Sequence, residues 1–500
     1  MQTERPTATA TGFQPIPNGD PGAPGAPGAE VHREMIYQTG QGTCCNQDRR
    51  NQPQANAIGA AAFIFLSGGL HIAWSIGFDS LLAELEVSSH LRISWFVAAI
   101  VGALLGGFFS QRLTYKQLMQ LCAMLTVIGG VVMGVRRFNA KAMFVARYLN
   151  GFANGLAFAP TLAMAGELSV YYRRGTTASA GEQWPTALGI FVQIVCSASW
   201  DTESEFTVEQ FQGVLSAILG VIAISMAWLL TIESPVDMLH RGDEQAAIDS
   251  LSRLHRPRAV TAETYDQLDN HRTYLAHNQP MRGLRGWTEA LPALLHLCLL
   301  RGLYAMSSSM LVAYTLSYTS TVVYPGNSGP FVLFGFLRLV GSCASAFALD
   351  TLGRKIPLLL GLVMAGGLAA GVASRFVVSE LLRVKDMRMA LWLLLLYQLF
   401  AGIAFGPSSA YLSEAFPRSV KRQCIALAYA LEMIIQLGIC RVDLSRNIDG
   451  IDNIAGFFFS LAALLLAEFL CSVWCMPETK MTTLQQAQIK FRNFVVSQQA

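Results

Sequence analysis

The sequence predicts an all-α membrane protein with twelve transmembrane helices, arranged as two pseudo-symmetric bundles of six. Three observations support this fold. Of the 500 residues, 52% are hydrophobic and only 14% are charged, which is too apolar for an ordinary soluble protein. Twelve apolar stretches are each long enough to cross about 30 Å of hydrocarbon as a helix. A phrase of small and apolar residues that ends in charges occurs once in each half of the chain.

The repeated phrase is clearest at residues 341–355, which read GSCASAFALDTLGRK. Its apolar part belongs to a predicted helix, and Asp350, Arg354 and Lys355 lie where that helix meets water, with Gly353 allowing a tight turn there. A degraded copy at residues 102–116 reads GALLGGFFSQRLTYK, with Gln111 at the position of the acid. An internal repeat whose unit is several membrane spans is typical of transporters.

The predicted spans follow one another with short connections, apart from one long polar segment in the middle. They cover residues 57–77, 93–111, 117–135, 140–164, 183–200, 211–231, 291–317, 331–350, 355–377, 390–412, 422–441 and 454–475. The pairs Gly102/Gly106 and Gly151/Gly155 have the small-xxx-small spacing that lets membrane helices approach closely.

The polar segments divide the chain into five parts. Residues 1–55 are predicted to form a disordered cytosolic tail, because their Pro-Gly-Ala repeats and amide residues cannot bury enough apolar surface. The two six-helix bundles occupy residues 56–232 and 291–477, with a cytoplasmic loop at 233–290 between them. A second cytosolic tail covers residues 478–500.

The central loop should contain three or four short helices packed under the bundle. Ser234 is a helix N-cap signal, and Pro235 suits the first helical position. Gly242 can end this helix, and a following helical stripe stops at Pro257.

The distribution of cations sets the orientation in the membrane. Roughly 23 Lys and Arg residues lie in the tails and loops placed inside, against about 9 outside, as the positive-inside rule requires. We therefore expect a multi-pass protein of the plasma membrane with both termini in the cytosol.

Several classes of function lack support in the sequence. It contains no phosphate-cradling glycine loop, nucleophile triad or metal-ligand cluster, so we expect no enzyme activity and no cofactor. The ten cysteines lie mostly inside apolar runs and show no paired spacing, which favours packing over a disulfide framework or a metal site. The small net charge of +3 gives no indication of nucleic acid as a partner.

Further motifs occur at the ends of other spans. Residues 147–160 read RYLNGFANGLAFAP, residues 233–235 read ESP, residues 414–417 read EAFP, and residues 477–480 read PETK. Together with the repeated phrase, they resemble the sugar-porter (glucose-facilitator or trehalose-transporter-like) family of the major facilitator superfamily. The resemblance implies the major facilitator fold and a carrier that moves a sugar through the bilayer by alternating access between its halves.

The resemblance also implies a cytoplasmic gate. In the family, acids and arginines at the inner ends of the spans form a network that stabilises the conformer closed to the cytoplasm. The positions that match are Arg112, Lys116, Glu167, Arg174, Asp350, Arg354 and Glu414. Because Gln111 replaces the acid, we expect the N-terminal part of this gate to hold more weakly. The alternative is that these residues are ordinary interfacial charges.

The family's sugar-binding positions are only partly kept. The glutamine pair of the seventh span and the tryptophan of the tenth are missing, and two amide positions hold Arg338 and Glu432. These two residues either pair with each other or bind opposite ends of a charged solute. The residues expected to bind substrate are Glu182, Gln183, Arg301, Ser308, Ser309, Arg338 and Glu432.

Three functions are therefore compatible with the sequence. The leading hypothesis is a sugar carrier, either passive or coupled to protons. The second is a carrier of a charged or zwitterionic organic solute, because full charges inside membrane spans are expensive unless they face a cavity or each other. The third is a solute sensor on the same fold that binds without transport.

Overall fold

The computed structural model describes residues 44–79, 88–135, 139–200, 204–378, 384–441 and 450–496. Described residues of the N-terminal half form helices α1 to α7. These are α1 Cys44–Ser75, α2 Ser89–Phe109, α3 Tyr115–Val135, α4 Ala140–Leu168, α5 Arg174–Gly181, α6 Gln183–Ser199 and α7 Val208–Leu229. Helix α1 begins at Cys44, so the last part of the predicted disordered tail is helical, while residues 1–43 lie outside the described part.

The central loop contains three helices in the described chain, as the sequence predicted. They are α8 Pro235–His240, α9 Glu244–Arg253 and α10 Ala262–Asn278. Ser234 caps α8 by accepting a hydrogen bond from the Asp237 N–H, and Gly242 ends it with a φ of 84°.

The C-terminal half follows the loop. Its helices are α11 Leu284–Ser307, α12 Met310–Val323, α13 Gly329–Thr351, α14 Lys355–Val378, α15 Val384–Phe405, α16 Pro407–Glu414, α17 Lys421–Cys440, α18 Gly450–Cys475 and α19 Leu484–Val496. Between α13 and α14, Gly353 adopts a φ of 102°, which confirms the predicted tight turn of the repeated phrase.

Ten segments of the described chain are long and apolar enough to cross a membrane. Helix α4 and the pair α5–α6 supply the two remaining predicted spans. Helix α4 is less apolar because it carries Arg147, Asn150 and Asn154, and α6, which is separated from α5 at Glu182, is only 17 residues long. The twelve-span prediction is confirmed.

The two halves repeat the same packing. Helix α2 packs on α4 and α3 on α7, and the corresponding pairs α13–α15 and α14–α18 occur in the second half. A Cβ atom added at Gly102 or Gly106 would collide with backbone carbonyls of α4 at Phe152 and Leu156. These glycines therefore allow the close helix approach that their spacing predicted. The halves meet along α2–α17 and α6–α13.

Three spans contain a break. The seventh and the tenth were predicted as continuous, but the seventh breaks at Ser308 and Ser309 and the tenth at Gly406, where Pro407 starts the next helix. The predicted fifth span corresponds to α6, and α5 precedes it with a break at Glu182. Helix breaks within a bilayer are tolerated only where other protein groups satisfy the freed backbone. In transporters such breaks mark the substrate region.

Candidate functional site

A cluster of three charged side chains lies between the halves at the helix breaks. Arg301 of α11 bonds to Glu432 of α17, with Nε to Oε2 at 2.7 Å and Nη2 to Oε2 at 2.6 Å. The same guanidinium reaches Glu182, with Nη2 to Oε1 at 3.2 Å. The exposed fractions are 0% for Arg301, 2% for Glu182 and 3% for Glu432. Since Glu182 belongs to the N-terminal half and Arg301 to the other, this cluster links the two halves.

Hydroxyl and amide groups complete the polar contacts of the cluster. Ser409 of α16 donates a hydrogen bond to Glu182 Oε2, and Arg301 Nη1 donates to Ser408 Oγ at 3.2 Å. Gln183 Nε2 donates to the same hydroxyl at 3.3 Å. The two serines come directly after the break in the tenth span. They were not among the predicted site residues.

Aromatic rings cover the cluster on another side. The Arg301 guanidinium lies 5.1 Å from the ring centre of Phe158 and 4.9 Å from that of Tyr304. Tyr429 of α17 stacks on Phe158 of α4, so this contact also joins the halves. Both the ion pairs and the cation–π contacts hold the guanidinium in one position.

Arg338 of α13 lies in a separate, neutral environment. Its Nη1 donates to Gln398 Oε1 at 2.8 Å, and both terminal nitrogens approach Ser307 Oγ at 3.3 Å. Glu432 binds Arg301 instead, so of the two predicted alternatives the mutual pair of Arg338 and Glu432 is not formed, and the binding of a charged solute stays a prediction. The guanidinium also lies 5.2 Å from the Tyr304 ring centre, which places Arg338 next to the cluster.

The break in the seventh span exposes backbone groups to side chains of a neighbouring helix. Gln436 Nε2 of α17 donates to the Ala305 carbonyl at 3.0 Å and to the Ser308 carbonyl at 3.3 Å. The Ser308 hydroxyl bonds to Tyr304 O at 3.2 Å. The buried Ser309 hydroxyl has no hydrogen-bond partner within the described part of the chain.

A further buried cation, Arg147 of α4, was not predicted as a site residue. Its Nε donates to Leu91 O at 3.1 Å and to Ser94 Oγ at 3.3 Å, while Nη2 donates to the Ser75 hydroxyl. The guanidinium lies 4.2 Å from the Trp74 ring centre. A lone arginine inside an apolar stretch was the signal that could have identified it.

The predicted cytoplasmic gate contains a network across the halves. Arg354 Nη2 lies 3.1 Å from Glu414 Oε1, and Arg174 Nη1 of the other half lies 3.7 Å from the same oxygen. The backbone N–H groups of Gly175 and Thr176 donate to the Asp350 carboxylate at 3.1 and 2.9 Å. The Asp350 carboxylate therefore binds the N-terminal end of α5, where unsatisfied backbone N–H groups favour an anion.

The remaining gate residues divide into two groups. Glu167 accepts a hydrogen bond from Ser234 Oγ at 2.6 Å and lies 3.9 Å from Lys421 Nζ of the other half. Arg112 and Lys116 instead pack on rings of their own half, with Lys116 4.7 Å from the Trp228 ring centre. Five of the seven predicted gate residues therefore lie in contacts across the halves or next to such contacts. Arg112 and Lys116 lie outside this network.

The family model "Sugar (and other) transporter" matches residues 37–491. The chain belongs to this family. It is a multi-pass membrane transporter rather than an enzyme, which confirms the family expected from the motifs.

Similar proteins agree with this assignment. The galactose-proton symporter of Escherichia coli K12 is 25% identical over 451 residues, which is 86% of this chain and 92% of the symporter. A structure of the proton:xylose symporter XylE bound to 6-bromo-6-deoxy-D-glucose matches with a TM-score of 0.69 at 18% identity, over 87% of this chain and 98% of XylE. The human organic anion transporter MFSD10 matches with a TM-score of 0.54 at 14% identity, over 84% and 99% of the two chains. These structures confirm the major facilitator fold.

Proposed function

We propose that the protein transports a sugar across the plasma membrane by alternating access, with the Arg301 cluster as its midplane site and both termini in the cytosol. The observation that carries the proposal is the Arg301–Glu182 contact, which joins the halves where three spans are broken. Carboxylates accept hydrogen bonds from sugar hydroxyls, and the guanidinium and serine hydroxyls donate to sugar oxygens. The similarity to a galactose-proton symporter supports a sugar as the solute.

In this proposal five residues at the cytoplasmic ends form the inner gate through their contacts within and across the halves. Asp350, Arg354, Glu414 and Arg174 hold it closed in the conformer described above, and Glu167 adds the contact with Lys421. Solute release to the cytosol requires these contacts to break. Arg112 and Lys116 do not take part in this step.

The same cluster supports proton coupling. Glu432 and Arg301 are in the same half and move together, whereas Glu182 is bound to Arg301 only while the halves are closed around the site. This contact is lost when the halves separate, or when a solute takes the place of Glu182 on the guanidinium. The Glu182 carboxylate then lies inside the membrane without its cation. An unpaired carboxylate is costly inside the membrane, so this is the step at which we expect coupling to a proton gradient, and the similarity to a galactose-proton symporter supports it.

Transport by the purified protein in proteoliposomes tests both parts. We expect labelled D-galactose to exchange with unlabelled sugar, and an inwardly directed proton gradient to drive its accumulation. Glu182→Gln should keep exchange and lose gradient-driven accumulation, whereas Glu289→Gln, a carboxylate at the cytoplasmic end of α11, should keep both. No exchange with any sugar would contradict the sugar proposal and favour a sensor, and full accumulation by Glu182→Gln would contradict its proton role.

A second candidate solute is an organic anion or zwitterion. The specific observation is Arg338, a buried cation that is held by Gln398 and Ser307 and so keeps its charge available to a solute carboxylate. Uptake of labelled organic anions that is lost in Arg338→Gln, together with normal folding of that variant, would favour this candidate over a neutral sugar.

A further inference from the structure

A cavity lies on the cytoplasmic side, away from the Arg301 cluster. Its volume is about 550 Å³, within the range of small-molecule sites. Three parts of the chain line it: the end of α4 in the first half, the loop helices α8 and α10, and the start of α17 in the second half. A molecule bound there would contact both halves at once.

The charges around this cavity are unbalanced. Five cations line it, and the carboxylates in the lining are Asp237 and Glu167. Asp237 binds two of the cations, with 2.7 Å to Arg418 and 3.3 Å to Arg422. Glu167 is 3.9 Å from Lys421. The lining therefore has an excess of three positive charges.

The two cations left over lie on the loop side of the cavity. Arg241 and Arg282 are exposed, and neither has a carboxylate partner within the described part of the chain. The positive potential also affects a neighbouring imidazole in the lining. Arg418, burial and Arg282 together lower the pKa of His240 below its usual value. The cavity is thus open, electropositive and rich in guanidinium groups.

We propose that this cavity binds a small anion carrying several phosphate groups, with Arg241 and Arg282 as its principal ligands. Guanidinium groups bind phosphate oxygens in bidentate geometry, and three uncompensated positive charges match a polyphosphate better than a single carboxylate. The ligand is either a soluble cytosolic polyphosphate compound or the phosphorylated headgroup of a lipid, since both carry the same chemistry.

The position of the cavity gives the ligand a regulatory effect. Arg418 and Lys421 belong to the second half, Glu167 to the first, and Arg241 to the loop between them. The lining residues are together only while the cytoplasmic gate is closed, so the anion binds this conformer more tightly than one in which the halves have separated. By linkage, the bound anion must then shift the population toward the conformer that is closed to the cytosol. This effect does not depend on which solute the central site transports.

Calorimetric titration tests the site directly. The purified protein in phosphatidylcholine nanodiscs is titrated with inorganic tripolyphosphate at physiological salt. Separately, it is placed in nanodiscs that contain phosphatidylinositol 4-phosphate. The thermal unfolding midpoint is measured with and without each of the two ligands. The test variant is Arg241→Ala/Arg282→Ala. The matched control is Arg253→Ala/Arg256→Ala, which removes two exposed arginines of the same loop that do not line the cavity.

We expect tripolyphosphate, the phosphorylated lipid or both to raise the thermal unfolding midpoint of the wild type and of the control. In the test variant the dissociation constant for tripolyphosphate should rise at least tenfold, or the stabilisation by the phosphorylated lipid should disappear. Its thermal unfolding midpoint without ligand should equal that of the wild type. Stabilisation by tripolyphosphate alone identifies a soluble ligand, and by the lipid alone a headgroup. Lack of any effect on the wild type, or equal loss in both double variants, would overturn the proposal.

Discussion

Removal of Arg301 should destabilise the protein strongly. Arg301→Met leaves Glu182 and Glu432 buried without their shared cation, whose nitrogens lie 3.2 and 2.6 Å from the two carboxylates. At an effective dielectric constant of about 20, each contact represents roughly 5 to 6 kcal/mol of Coulomb attraction. Desolvation of the three groups offsets much of this in the wild type. The loss on removing one partner of a buried pair is about 3–5 kcal/mol, and we expect the unfolding free energy to fall by this amount.

Unfolding of the purified protein in detergent micelles measures this loss. Arg285→Met, on the same helix, is the matched control, because its side chain is 62% exposed and lies 3.8 Å from Glu289. Such an exposed pair contributes less than about 1 kcal/mol. The triple variant Glu182→Gln/Arg301→Met/Glu432→Gln, which has no buried charge in the cluster, should recover most of the stability. The reasoning is refuted if Arg301→Met is as stable as Arg285→Met, or if the triple variant is no more stable than the single one.

Two further predictions concern the cytoplasmic side. Arg354→Ala should lower uptake into vesicles at least tenfold, and Lys116→Ala less than twofold. The reason is that Arg354 is buried against Glu414 at 3.1 Å, whereas Lys116 lies outside that network. Similar uptake by both variants would show the ranking to be wrong. Burial and the nearby charge of Arg174 lower the pKa of His271 from 6.5 to about 4. Between these values the unfolded chain binds a proton that the folded chain does not, so folding stability should fall as the pH drops from about 6.5 to about 4. His271→Gln should weaken this pH dependence of the thermal unfolding midpoint, and an unchanged dependence would contradict the assignment.

The fold followed from the sequence because its signals are local. A membrane helix must satisfy its backbone hydrogen bonds internally, so length and hydrophobicity alone predict most spans. The turn at Gly353 and the cap at Ser234 depend on one or two residues and were also predicted correctly. The family motifs then supplied the order of the spans and the residues of the gate.

The interior arrangement depended on contacts between distant parts of the chain. Sequence position left open whether Arg338 and Glu432 pair. In the structure Glu432 is bound by Arg301, 131 residues away, and Arg338 by Gln398. The helix breaks were missed for the same reason: a break such as that at Ser308 is stable only when a side chain from another helix, here Gln436, binds the freed carbonyl.

What the sequence determined by itself is therefore the class of protein, its spans and the positions at which charge enters the membrane. Which of those charges pair, and which are held by neutral groups, was decided only by tertiary structure. The physical reason is that the cost of a buried charge depends on the groups within a few ångströms of it. Those groups come from six separate spans, and no local pattern in the sequence specifies how their side chains meet.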